Sequence, residues 1–175
     1  FAPLTLPDAP NVYRSGSGLP GPQYWQNRTD YTIRSRIDTQ THVLHGSETI
    51  TYTNNSPEAL DVLWVQLDQN IYRQDARGSF SGRFSSGGHT SGMEIEHVFI
   101  VQGGREVDVT PLVSDTRMQL RLPRMLDSHG IAFVKVDWHY TIPGEWGGRT
   151  AVTPSREGEI YEIAQWYPRL SVYDD

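Results

Sequence analysis

The chain has 175 residues, of which 37% are hydrophobic and 21% are charged, and its formal net charge is −6. This length allows one globular domain with a buried core, while the acidic balance argues against nucleic-acid binding, which requires clustered Lys and Arg. The absence of cysteine excludes disulfides and thiolate metal sites, and no apolar run approaches the ~18 residues that a membrane-spanning helix needs.

The sequence divides into an N-terminal arm and a β-rich domain. Residues 1–23 are rich in proline and glycine. Proline fixes φ and removes a backbone donor, so we predict an extended arm over these residues. Residues 24–175 repeatedly alternate apolar and polar side chains with a period of two, which predicts a β domain.

The first predicted strands lie on either side of a turn. YTIRSRID alternates and predicts a half-buried strand. Residues Ser47–Leu67 are predicted to form a hairpin that turns at Asn54–Pro57, because Asn, Ser and Pro favour turns. The second strand of this hairpin, 60–67, is apolar on both faces, which predicts a strand that is central or covered by a second layer, with Trp64 largely buried.

Four later segments also alternate: MEIEHVFIV, REVDVTPLV, RMQLRL and IAFVKVDWHYTI. The first two are joined at Gly103-Gly104, a typical hairpin turn. About eight strands and no convincing helix predict an all-β fold, either an antiparallel β-sandwich or a saddle-shaped sheet. One face of each strand is predicted from the alternation to hold Met93, Ile95, His97, Phe99 and Val101; Met118, Leu120 and Leu122; and Ala132, Val134, Val136, Trp138 and Tyr140.

A long loop interrupts this pattern. Residues 74–92 are rich in glycine and serine, and loops of this length without regular structure are uncommon. The segment is predicted to be a mobile surface loop, or a loop that packs onto a neighbouring domain through Phe80 and Phe84.

The residues that could carry chemistry do not group along the sequence. His42 and His45 are three apart, so a strand places them on opposite faces, and it likewise separates Glu96 from His97. His139 is predicted to face outward. There is no H-E-x-x-H motif and no G-x-S-x-G elbow. We therefore predict neither a metal site nor a catalytic residue in this chain.

Two stretches of the chain carry a resemblance to a known enzyme family. The first is HGSETITYTNNSPEALDVLWVQLDQNIY, residues 45–72, which fits a G-x-x-x-I-x-Y-x-N strand followed by a strand ending in L-x-Q-N. The second is the closing YEIAQWYPRLSVYDD. Both are similar to the N-terminal domain of bacterial zinc aminopeptidases of the aminopeptidase N-like (gluzincin) family, and the similarity covers roughly residues 24–175.

This resemblance implies a non-catalytic N-terminal β domain, incomplete at its C-terminal side, that precedes a thermolysin-like catalytic domain. In the family the catalytic domain holds the zinc and the H-E-x-x-H helix, so zinc is expected in the parent enzyme and no cofactor in this chain. The implied partners are the remainder of the same polypeptide and a peptide substrate. The compartment stays open, with a bacterial periplasmic or secreted location favoured over the cytoplasm.

The resemblance also implies one substrate-binding residue. Gln165 matches the family's glutamine that lines the pocket for the first side chain of the substrate. The alternative is that Gln165 is a buried amide whose hydrogen bonds are made by strand backbone.

The closing aromatic segment is predicted to need a partner. Tyr161, Ile163 and Tyr167 have one parity and Trp166 has the other, so a single strand face cannot bury all four. We therefore predict that residues 160–175 lie against the remainder of the same polypeptide.

A second function stays open. The chain could be an autonomous β-sandwich module that binds carbohydrate or protein. Exposed aromatic residues would then form its binding platform, namely Trp25, Trp138, Trp146 and Trp166.

Overall fold

The computed structural model describes residues 10–78, 89–144 and 149–174. No helix within these ranges is long and apolar enough to cross a membrane. Most of the predicted glycine- and serine-rich loop and the predicted platform residue Trp146 lie outside the described residues. The described ranges contain one short 3₁₀-helix, Asp68–Tyr72, and these strands: β1 Arg28–Asp38, β2 Val43–Thr53, β3 Leu60–Gln66, β4 Glu94–Gln102, β5 Arg105–Asp108, β6 Leu112–Ser114, β7 Arg117–Leu126, β8 Ile131–Thr141, β9 Ala151–Ser155, β10 Gly158–Glu162 and β11 Arg169–Leu170.

The strands form two main antiparallel sheets and a small hairpin. The larger sheet has five strands in the order β1-β2-β8-β4-β5, and the smaller has four in the order β11-β3-β7-β6. β9 and β10 pair only with each other. The prediction of an all-β, antiparallel sandwich-like fold is therefore confirmed.

The core lies between the two sheets, where alternating side chains of both meet. The inward-facing residues predicted for RMQLRL and IAFVKVDWHYTI are all buried, as the period-two pattern indicated. Trp138 also packs over Gly46 so closely that a Cβ at Gly46 would overlap its indole ring. The buried cluster contains Leu44, Ile50 and Tyr52 of β2, Leu63 and Val65 of β3, Val98 and Ile100 of β4, Met118, Leu120, Leu122 and Leu126 of β7, and Ala132, Val134, Val136, Trp138 and Tyr140 of β8.

The predicted hairpin over Ser47–Leu67 is wrong. The chain does turn after β2, but β2 belongs to the five-stranded sheet and β3 to the four-stranded sheet. Asn54, which is fully buried, forms the corner: its Nδ2 donates to the carbonyls of Glu58 and Leu126 at 2.7 and 2.9 Å. The turn residues thus carry the chain across the sandwich instead of back along its own sheet.

The predicted burial of Trp64 is also wrong. Leu63 and Val65 of β3 point into the core and are 4% and 0% exposed, whereas Trp64 is 45% exposed on the outer face. A strand that is apolar on both faces does not indicate which face meets the second sheet, and the odd-numbered residues do so here.

The prediction of which β4 side chains face the core is wrong after the first residues of this strand. A β-bulge shifts the register between Ile95 and His97, so that Val98 and Ile100 are buried while His97 is exposed. One extra residue in a strand reverses the parity of every residue that follows it. The β4–β5 hairpin at Gly103-Gly104 is confirmed.

Both ends of the described chain lie together. Residues 10–23 form no regular strand, and within them Arg14 forms an isolated bridge with Pro20. The Nη2 atom of Arg14 lies 3.4 Å from Oδ2 of Asp174, so the arm contacts the closing segment.

The closing segment is not one strand, so the different parities of its residues do not prevent them from facing the same core, contrary to the prediction. β10 ends at Glu162, the chain turns, and β11 begins at Arg169. The turn directs side chains of both parities toward the domain's own core. The partly buried side chains of this segment that pack against the core are Tyr161, Ile163, Trp166, Tyr167 and Leu170.

Candidate functional site

The two stretches on which the predicted resemblance rests meet in space. β11 pairs with β3, with Arg169 opposite Gln66 and Leu170 opposite Val65. The pairing continues past β11, where the backbone N–H of Ser171 donates to the carbonyl of Trp64 at 2.7 Å. The closing segment is therefore an edge strand beside the segment that leads into the 3₁₀-helix.

Gln69 of the 3₁₀-helix holds the turn between β10 and β11. Its side chain is 2% exposed, and its Nε2 donates to the carbonyls of Ala164 and Gln165 at 2.9 and 3.1 Å. Thr150 adds a hydroxyl that donates to the Ala164 carbonyl at 3.0 Å. The buried amide nitrogen of Gln69 thus fixes the backbone of this turn, whereas Oε1 of the same amide has no hydrogen-bond partner among the described residues.

Gln165 itself is exposed and lies in that turn, not in a strand. Its φ is 47°, in the left-handed region that non-glycine residues seldom occupy. The alternative of a buried Gln165 amide bonded to strand backbone is therefore wrong, and the buried glutamine here is Gln69. The geometry presents the Gln165 side chain outward, where another domain or a ligand can contact it.

An ion pair anchors the strand that follows the turn. The guanidinium of Arg169 donates from Nε and Nη2 to Oδ2 of Asp68 at 3.1 and 2.7 Å. The backbone N–H of Leu170 donates to the Tyr31 hydroxyl at 3.0 Å. Burial raises the pKa of Tyr31. The hydroxyl of Tyr31 is therefore neutral and accepts the hydrogen bond from the backbone of β11.

A groove of about 710 Å³ runs beside this strand on the outer face of the smaller sheet. Trp64, Val172 and Tyr173 form its apolar part, and Glu58 and Arg117 contribute charged groups. Tyr173 donates its hydroxyl to Oε2 of Glu58 at 3.1 Å. The groove is thus mixed in character and continuous with the closing segment.

The described members of the predicted tryptophan platform, which are Trp25, Trp138 and Trp166, do not lie together. Trp138 is buried in the core at 1% exposure. Trp25 lies against Tyr173 with ring centroids 5.5 Å apart, and Trp166 packs edge-on against Tyr167. Trp25, Trp138 and Trp166 therefore do not share one exposed aromatic surface.

One carboxylate is buried in the larger sheet. Glu48 of β2 is 4% exposed, and neither of its carboxylate oxygens has a hydrogen-bond partner among the described residues. Burial raises the pKa of Glu48 from 4.5 to about 8. This group is therefore mainly neutral at pH 7, because the core penalises its charged form.

Two histidines and a glutamate lie close together in the larger sheet, although their spacing along the chain did not indicate it. His45, Glu96 and His139 come from three neighbouring strands, and one ligand atom of each lies within 4.8 Å of the others. His45 and His139 are directly opposite in the β2–β8 register. The signal that could have found this group is cross-strand pairing, which needs the strand order as well as the sequence.

Comparison with known proteins does not assign the chain to a family. No protein-family model matches it, and no curated protein is significantly similar to it. The resemblance to aminopeptidases therefore stays a prediction from the sequence.

Proposed function

We propose that the chain is a non-catalytic N-terminal β domain of a zinc-dependent aminopeptidase, which caps the catalytic cleft and helps to bind peptide N-termini. The observation that carries this proposal is that residues 45–72 and the closing stretch, far apart in sequence, are built into one structural unit. Asp68 and Arg169 are 101 positions apart and form its ion pair.

The unit is suited to present Gln165. The Gln69 side chain holds the backbone on either side of that residue, and the Arg169–Asp68 pair fixes the strand that follows. Hydrogen bonds already fix the backbone of this turn. The turn therefore loses little further backbone freedom when the side chain of Gln165 contacts a ligand. This supports Gln165 as the residue that contacts the first side chain of a peptide substrate.

The partner of the unit is the remainder of the same polypeptide. In that remainder, zinc would polarise the scissile carbonyl and activate water, with a glutamate as general base. The part assigned to this chain is to close one side of the cleft, so that only the end of a peptide fits. A bacterial periplasmic or secreted location is part of the same proposal.

The test uses the complete polypeptide of which this chain is a part. We expect its reading frame to encode H-E-x-x-H after Asp175 and the purified protein to release N-terminal residues from peptides. Gln165→Ala should lower kcat/KM by about tenfold, since a lost hydrogen bond to substrate costs about 1.4 kcal/mol. Gln40→Ala is the control, because Gln40 is also an exposed turn glutamine and lies outside both stretches of the unit.

Two results would contradict the proposal. The first is a reading frame without a zinc-binding helix. The second is an active aminopeptidase in which Gln165→Ala and Gln40→Ala have the same kinetics, which would remove Gln165 from the substrate pocket.

A further inference from the structure

The outer face of the five-stranded sheet carries two imidazoles and a carboxylate in one place. His45 lies on β2, His139 on β8 and Glu96 on β4, and these are adjacent strands. Their ligand atoms all lie within 4.8 Å of one another. This face points away from the core and from the four-stranded sheet that holds the groove.

The backbone accounts for this convergence. His45 and His139 are register partners, and their rings stack with centroids 5.6 Å apart. The bulge between Ile95 and His97 leaves Glu96 without a partner of its own on β8, and its Oε1 lies 2.6 Å from Nδ1 of His139. Bulges commonly redirect a side chain in this way near functional sites.

We propose that His45, His139 and Glu96 bind a divalent transition-metal ion of the Zn²⁺ type. Imidazole nitrogen and carboxylate oxygen are the donors that such ions accept, whereas Mg²⁺ and Ca²⁺ prefer oxygen alone. Three protein ligands leave a further coordination position for water or for a group from another molecule.

The surrounding charges favour a cation on balance. Glu94 places its Oε1 3.6 Å from Nε2 of His139, and Asp137 lines the same shallow depression of about 350 Å³. Arg34 and Arg36 of β1 line it from the other side and oppose binding, with Arg36 opposite His45. Glu96 and Asp137 balance the two guanidinium groups that line the depression, and Glu94, which lies beside His139 outside this lining, adds one further negative charge, without counting the histidines.

Metal at this position would join β2, β8 and β4, the centre of the larger sheet. An ion that binds the folded chain and not the unfolded chain raises its stability in proportion to the logarithm of the ion concentration. The proposal is independent of the aminopeptidase role, since it concerns a different sheet and can be measured on this chain alone.

The experiment is a titration of metal-free protein with Zn²⁺ in a calorimeter, repeated for variants. We expect one equivalent to bind, and His139→Ala to weaken binding by more than tenfold, since even indirect ligand partners change affinity by about 10–100-fold. His97→Ala is the matched control, because His97 is an exposed histidine of the same strand as Glu96 and outside the ligand set. At one fixed Zn²⁺ concentration, the rise in Tm should be similar for the wild-type protein and His97→Ala and clearly smaller for His139→Ala.

A second measurement needs no variant. Addition of Ni²⁺ to the wild-type protein should broaden the ring NMR signals of His45 and His139 before those of the other four histidines. The proposal is overturned if no saturable binding occurs, if His139→Ala binds as tightly as wild type, or if other histidine signals broaden first.

Discussion

Arg169 and Asp68 link the edge strand β11 to the 3₁₀-helix, with two guanidinium nitrogens on a single carboxylate oxygen at 3.1 and 2.7 Å. The side chains are 38% and 24% exposed, so the pair is neither fully solvated nor desolvated. Since Gln69 fixes the preceding turn from the same helix, the ion pair and the amide together determine how the closing segment lies on the domain.

Substitution of Arg169 tests this link. Arg169→Ala should reduce the free energy of unfolding by about 1 kcal/mol, because partly exposed ion pairs are weaker than buried ones. Urea unfolding of wild type, both single variants and the double variant with Asp68→Ala measures the coupling. Additive losses would show that the two side chains do not stabilise each other. Arg28→Ala is a control, since the Arg28–Asp30 pair lies on the surface.

The two faces of β3 should differ in their response to truncation. Leu63→Ala should cost about 2–5 kcal/mol, because it leaves a cavity in the core. Trp64→Ala should cost about 1 kcal/mol despite the larger side chain, since nearly half of Trp64 is already exposed. Urea unfolding with equal slopes would give both values. A greater loss for Trp64 would mean that the strand faces the other way.

Overpacking at Gly46 should also be costly. Gly46→Ala places a Cβ against the buried indole of Trp138, and we expect a loss of about 1–3 kcal/mol. Gly144→Ala is the matched control, since a Cβ there meets no atom within 4 Å and Gly144 has no left-handed φ. Thermal unfolding of both variants is the measurement. Similar Tm values would contradict the close packing of β2 against Trp138.

The buried carboxyl group of Glu48 should make the free energy of unfolding depend on pH. Its pKa is about 8 in the folded protein and 4.5 ordinarily, so the folded state binds more protons than the unfolded state between these values. Stability should therefore fall as the pH rises from about 4.5 to 8, by on the order of 1.4 kcal/mol per unit of pKa difference.

The control for Glu48 is Glu48→Gln, which cannot ionise. Its stability relative to the wild-type protein should increase with pH, as measured by urea unfolding at steps from pH 5 to pH 9. Subtracting the two profiles removes the contribution of the histidines. Parallel profiles would mean that Glu48 titrates normally and is hydrated.

Some of this architecture could be predicted from the sequence. The period-two pattern located most strands and the inward faces of β7 and β8, because core burial enforces that period over long strands. It could not show that β2 and β3 belong to different sheets, since residues such as Asn54 suit a hairpin and a crossover equally. Nor could it locate the β4 bulge, which leaves no mark in composition.

The candidate sites were less predictable for the same reason. Gln165 was selected by resemblance, but its position in a turn depends on contacts with Gln69, far away in the chain. His45 and His139 become neighbours only once the strand order and register are known. Spacing along the sequence predicts which residues lie close together within one strand or turn. Both sites instead combine residues from different strands and turns.

The late position of β11 has a consequence for folding. Its partner β3 is an inner strand of the smaller sheet only after residues about a hundred positions later have docked. Until then β3 is an edge strand with unpaired backbone groups and the apolar Trp64 beside them, a combination that promotes association between chains. We therefore expect this edge to stay uncovered during synthesis until most of the domain has left the ribosome.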